Sequence, residues 1–114
     1  MPKQPEVRAK DAIKATLNEV CARRGLHHKG VWNAGAAFGV ATLDYTGVVA
    51  GHALVIEAKR FDGKGKGATT RQKVDLEEFR VAGAATWLID SELVLKAFRH
   101  WLENLVPRQP AGLP

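Results

Sequence analysis

Residues 43–59 read LDYTGVVAGHALVIEAK, and both the fold and the chemistry are read outward from this stretch. Two runs rich in β-forming residues, Leu43–Val49 and Ala53–Lys59, are joined by Ala50-Gly51-His52, short enough for a hairpin turn. Side chains alternate faces along a strand, so Glu57 and Lys59 project from one side while Leu54, Ile56 and Ala58 pack on the other. A carboxylate and a lysine on so apolar a strand are costly to bury unless they are paired or bind a metal. Asp44 opens the preceding strand of the same hairpin, and pairing across the turn can bring it toward Glu57, depending on register. Two acids and a lysine converging at a strand end suit a hard cation with oxygen ligands. The plainer alternative is a surface ion pair between Glu57 and Lys59 with nothing to catalyse.

Helical spacing surrounds this hairpin. The first helix is expected from Pro5 or Glu6 to Arg24, with Gly25 at its C-terminal cap and Ile13, Leu17, Val20 and Cys21 on one buried stripe. At 100° per residue Glu6 falls within about 20° of Ile13, whereas Glu19 points to solvent. Cys21 on this face is a core residue. Residues 30–33 begin a strand, followed by a glycine- and alanine-rich loop over 34–41. Thr69-x-x-Gln72 is a capping box that opens a second helix running to Gly83. Ala85–Ile89 reads as a buried strand. Asp90 or Ser91 caps a third helix whose stripe is Val94, Phe98, Trp101 and Leu105, stopped by Pro107. The order predicts an α/β sandwich on a mixed sheet, one domain over 1–106 with a frayed tail over 107–114.

Composition narrows the function classes. The 114 residues carry 17 Lys plus Arg against 12 Asp plus Glu, a formal charge of +5, which favours a polyanionic partner. One cysteine excludes an intramolecular disulfide framework and a Cys-rich zinc site. No apolar run is long enough to span a bilayer, and MPKQPEVRAKDAIK lacks the apolar core of a secretory signal, so a cytoplasmic protein is expected. The basic surplus gathers in two places: Arg23, Arg24 and Lys29 near the end of the first helix, and Lys59, Arg60, Lys64, Lys66, Arg71 and Lys73 against the single Asp62. The Gly-Lys alternation of 63–67 matches no phosphate-binding P-loop and reads as a flexible loop suited to backbone phosphates. His27 and His28 lack metal-ligand spacing and read as surface groups, Trp32 and Tyr45 as packing residues.

Asp44 followed by Glu57-Ala58-Lys59 resembles the motif of the PD-(D/E)XK nucleases. More narrowly, the order of signals from Glu6 to Ile89 resembles stand-alone phage-type members of the virus-type replication-repair nuclease (VRR-NUC) domain. An acid opens the first helix (Glu6), a glycine-rich segment from Gly35 approaches Asp44, and an IExK strand follows. Thr69 and Gln72 then enter a helix that ends in Ala82-Gly83 before an apolar strand. Leu43 stands where the family has proline, a change of backbone shape rather than of ligands. The resemblance implies a restriction-endonuclease-like core of order α-β-β-β-α-β(-α), and a DNA endonuclease dependent on Mg²⁺ or Mn²⁺. The metal would be held by Asp44, Glu57, the Ala58 carbonyl and Glu6, with Lys59 as the catalytic lysine and Gln72 beside the site. Such an ion lowers the pKa of bound water and stabilises charge on the scissile phosphate. Lys64, Lys66, Arg71, Arg60 and Lys29 become DNA contacts. Stand-alone members further imply branched DNA such as four-way junctions, a homodimer, and a phage-infected or bacterial cell. The competing expectation is a DNA-binding accessory domain of the same fold with little or no turnover.

Overall fold

The computed structural model describes residues 3–33 and 43–109; the expected 34–41 loop with Gly35, and residues 110–114, lie outside the described residues. The elements follow the expected order: α1 (Pro5–Arg24), β1 (His28–Trp32), β2 (Tyr45–Val49), β3 (His52–Ala58), α2 (Thr70–Val81), β4 (Ala85–Ile89) and α3 (Glu92–Asn104). The strands form one mixed sheet in the order β1-β2-β3-β4, antiparallel through β3 and parallel between β3 and β4.

The hairpin is tighter than its sequence suggests. His52 already pairs with Val49, so the turn is Ala50-Gly51 alone, with φ of 49° and 83°. Positive φ at both central residues matches the right-handed twist of the flanking strands. β1 begins at His28, earlier than expected, and pairs Trp32 with Tyr45. Gly30 and Gly47 are required here, since a Cβ on either would run into the Tyr45 ring lying across them.

The core lies on one sheet face. Leu54, Ile56 and Ala58 of β3 meet Tyr45, Val49 and Ile89 there, and Ile13, Leu17, Val20 and Cys21 of α1 close over them with Phe98 and Leu102 of α3. Trp101 packs on Phe98 and Trp87, its ring centroids 6.0 Å from each. Val55 and Glu57 are buried too, but on the alternate face, where α2 lies against β3 and β4. The caps work as read: Gly25 is left-handed after α1, Thr69 and Gln72 form the reciprocal box of α2, and Ser91, not Asp90, caps α3 by accepting from Val94 N.

Arg23 and Arg24 have structural tasks that displace them from the expected basic surface. Arg24 Nη1 donates to the carbonyls of Leu102 and Leu105 at 2.6 and 3.0 Å, satisfying the end of α3, and Arg23 pairs with Glu103 and Glu19. The start of the tail is also held, because Arg108 N donates to Ala50 O at 2.8 Å. Among the described residues no helix is long and apolar enough to cross a membrane.

Candidate functional site: a crossed carboxylate pair in a basic cleft

The register that sets Tyr45 opposite Ile56 carries Asp44, one residue earlier, to the level of Glu57. Two hydrogen bonds cross between them. Asp44 N donates to Glu57 Oε1 at 3.1 Å, and Ala58 N donates to Asp44 Oδ2 at 2.8 Å. Each acid is thus oriented by the backbone of the other's strand. Asn33 braces the approach: its backbone N donates to Asp44 O at 2.8 Å and its Nδ2 to Leu43 O at 2.6 Å. That double contact holds the segment that leads through Leu43 into Asp44.

The remaining carboxylate oxygens take side-chain donors. Lys59 Nζ lies 3.2 Å from Glu57 Oε2, as strand alternation required. Gln72 Nε2 donates to the same oxygen at 2.8 Å while its Oε1 accepts from Thr69 N at 3.0 Å. A capping box accepts Glu or Gln at this position, but only the amide both completes the cap and donates to Glu57. Lys10 Nζ, on α1, lies 3.1 Å from Asp44 Oδ1. Sequence reading missed Lys10 and Asn33: neither belongs to a motif, and helical periodicity alone does not say which turn of α1 overhangs the hairpin.

Glu57 is 3% exposed. Burial raises its pKa above the ordinary carboxylate value, the charge of Asp44 raises it further, and the hydrogen bond and charge of Lys59 oppose both. The pair opens into a cleft of about 670 Å³, lined also by Glu6, Arg60, Lys64 and Lys66.

The basic residues divide. The loop after β3 is organised by Asp62, which takes Arg60 through Nε and Nη2 at 3.1 and 2.6 Å and accepts from Lys64 N at 3.0 Å. Arg60 and then the Lys64 backbone hold the Asp62 carboxyl down to about 2. Lys64 and Lys66 face the cleft from this loop. Arg71 does not line the cleft; it is exposed on α2 and pairs with Asp75 at 3.3 Å. Lys29 sits on edge strand β1 and lines a different groove with Val48 and Arg108. Glu6 reaches the cleft but is exposed, because the buried stripe of α1 starts only at Ala9 and the first turn overhangs the core. Its azimuth was legible and its depth was not. Glu19 is solvent-exposed, paired with Arg23 and Arg99.

Among the described residues no group of three or more His, Cys, Asp and Glu stands close enough to hold an ion. Glu6 is therefore not a preformed third ligand beside Asp44 and Glu57. Two carboxylates alone still fit Mg²⁺ or Mn²⁺. Mg²⁺ binds through one or two carboxylates and keeps several waters, and the mutual repulsion of two poorly hydrated acids is what a cation relieves. Fold and site together define an α/β domain in which the ends of two central strands, with α1 overhanging them, present two acid–lysine pairs to a basic cleft. The chain matches no family model, no curated protein and no solved structure.

Proposed function

We propose that this chain is a Mg²⁺- or Mn²⁺-dependent endodeoxyribonuclease of the PD-(D/E)XK type, with a restriction-endonuclease-like core and similar in character to stand-alone VRR-NUC domains. One observation carries the reading: Asp44 and Glu57 are cross-linked by backbone hydrogen bonds and open, with Lys59 and Gln72, into one cleft with Lys64 and Lys66. A structural ion pair needs no second acid beside a buried, destabilised first one, and a buried acid with a raised pKa in a basic cleft supports a functional site.

Hydrolysis adds a water oxygen to phosphorus, breaks one P–O ester bond, and returns a proton to the departing sugar oxygen. A cation on Asp44 and Glu57 would supply the acidity of the water and the charge on the phosphate. Glu57 is held for this by Asp44 N and Gln72, so its carboxylate meets the reacting groups with little reorganisation. Lys59 stands beside Glu57 to hold the attacking water or a phosphate oxygen. Lys64 and Lys66 hold flanking phosphates, a contact without base preference. Selectivity for branched DNA and a homodimer that presents two such sites belong to the same proposal, as does action in the cytoplasm of a phage-infected or bacterial cell.

One observation favours the accessory-domain reading: all four carboxylate oxygens already have protein donors, two of them to lysines. Cleavage decides between them. Purified protein is incubated with labelled four-way junction, flap and linear duplex in Mg²⁺, Mn²⁺ or EDTA. Metal-dependent cuts that Glu57→Ala and Lys59→Ala abolish are expected; no cleavage of any substrate refutes the enzyme. Lys64→Ala/Lys66→Ala should flatten the dependence of log K on log salt by about two charges, and an unchanged slope removes the loop from the DNA interface.

A further inference from the structure

We propose that Lys10 is a built-in competitor for the cation site, seated on Asp44 when no metal is bound and transferred to Glu6 when one binds. The inference rests on the metal-site reading above and deepens it. Asp44 has two oxygens in the cleft: Oδ2 is tied to Ala58 N, which belongs to the strand and cannot leave, and Oδ1 is held by Lys10 Nζ at 3.1 Å. A cation that ligates Asp44 therefore takes the position of an ammonium. Lys10 is able to give it up, since its side chain is 30% exposed on a flexible stem at the helix surface. Lys59 is the other lysine of the site, but it sits on Glu57 at 22% exposure, directly after β3 with its backbone N held by Ile89 O.

The released ammonium has a partner waiting. Glu6 lies four residues before Lys10 on α1, hence on the same helix face, and lines the same cleft. Glu6 then acts on metal binding by accepting Lys10 rather than by ligating the ion. This accounts for an acid that reaches the cleft yet forms no three-acid group with Asp44 and Glu57. It also keeps the metal-free acids compensated, so the cleft does not repel polyanionic DNA before the cation arrives.

The test is Mn²⁺ affinity by calorimetry and by Mn²⁺ electron paramagnetic resonance, without DNA, on the full chain. Lys10→Met removes the competitor and is expected to tighten Mn²⁺ binding by about two- to five-fold, the scale of a partly exposed ion pair. Lys10→Arg keeps the charge and should leave the affinity near that of wild type. Glu6→Gln should weaken Mn²⁺ binding about two- to five-fold in wild type and have no effect in the Lys10→Met background. Equal weakening in both backgrounds makes Glu6 a direct ligand and overturns the transfer. Wild-type binding that Glu57→Gln abolishes, with Lys10→Met no tighter than wild type, overturns the role of Lys10 while leaving the metal site standing. No Mn²⁺ binding by wild type and Lys10→Met alike overturns both.

Discussion

The Glu57 carboxyl makes a measurable claim about folding. It is nearly fully buried, and its pKa lies above 4.5 because burial strips its hydration and Asp44 repels its charge, against the pull of Lys59. An acid with a raised pKa in the folded chain holds more protons folded than unfolded between the two values. Stability is therefore fully present below pH 4.5, falls as pH rises toward the raised value, and levels above it. At its steepest a single proton changes stability by about 1.4 kcal/mol per pH unit. Glu57→Gln removes the titration. The replaced amide also sets an N–H₂ against existing donors, but that offset does not vary with this group's charge. The quantity to follow is the stability of wild type minus that of Glu57→Gln, from urea unfolding monitored by tryptophan fluorescence in metal-free buffers from pH 4 to 8. The difference should decline with rising pH through the window above 4.5, and Mn²⁺ should restore part of the loss in wild type only. A flat difference, or one that grows with pH, would mean that Lys59 and Gln72 outweigh burial and Asp44, and the account of a strained, cation-seeking carboxylate fails.

Other outcomes follow from the same geometry. Gln72→Glu preserves a capping box but places a carboxylate against Glu57, where an amide now donates at 2.8 Å. It should cost about 1–3 kcal/mol near neutral pH, recovered on acidification as the two acids share a proton; a pH-independent cost in urea unfolding would refute the pairing. Gly30→Ala and Gly47→Ala should each destabilise by about 1–3 kcal/mol, by overpacking against Tyr45. In a Tyr45→Leu background the cost at Gly30 should largely vanish, because its nearest obstructions are ring atoms. The cost at Gly47 should persist, because the Lys29 carbonyl and Gly30 Cα would lie 2.5 and 2.7 Å from the new Cβ. Equal rescue at both positions in thermal melts would refute this packing.

Much of the molecule is written in short-range patterns. Strand alternation put Glu57 beside Lys59, helical spacing marked Ile13, Leu17 and Phe98 for the core, and the Thr69–Gln72 spacing opened α2 where it begins. These features depend on residues within a turn or a strand of one another, so periodicity and cap chemistry suffice to find them. Asp44 was legible as a candidate, but its hydrogen bonds with Glu57 and Ala58 required the hairpin register, which the two-residue turn Ala50-Gly51 settles. Lys10, Asn33 and the exposure of Glu6 were decided by tertiary structure alone. Where α1 crosses the sheet, and which of its turns overhangs the strand ends, depends on the seating of Ile13, Leu17, Val20 and Cys21 against β2, β3 and α3. The same long-range packing turned Arg24 into the cap of α3, and chain geometry set Lys29 on another groove. The sequence alone specified the acids, the lysine and the strand that carries them. Packing of distant segments chose their counter-ions, because contacts between residues far apart in the chain have no period to read.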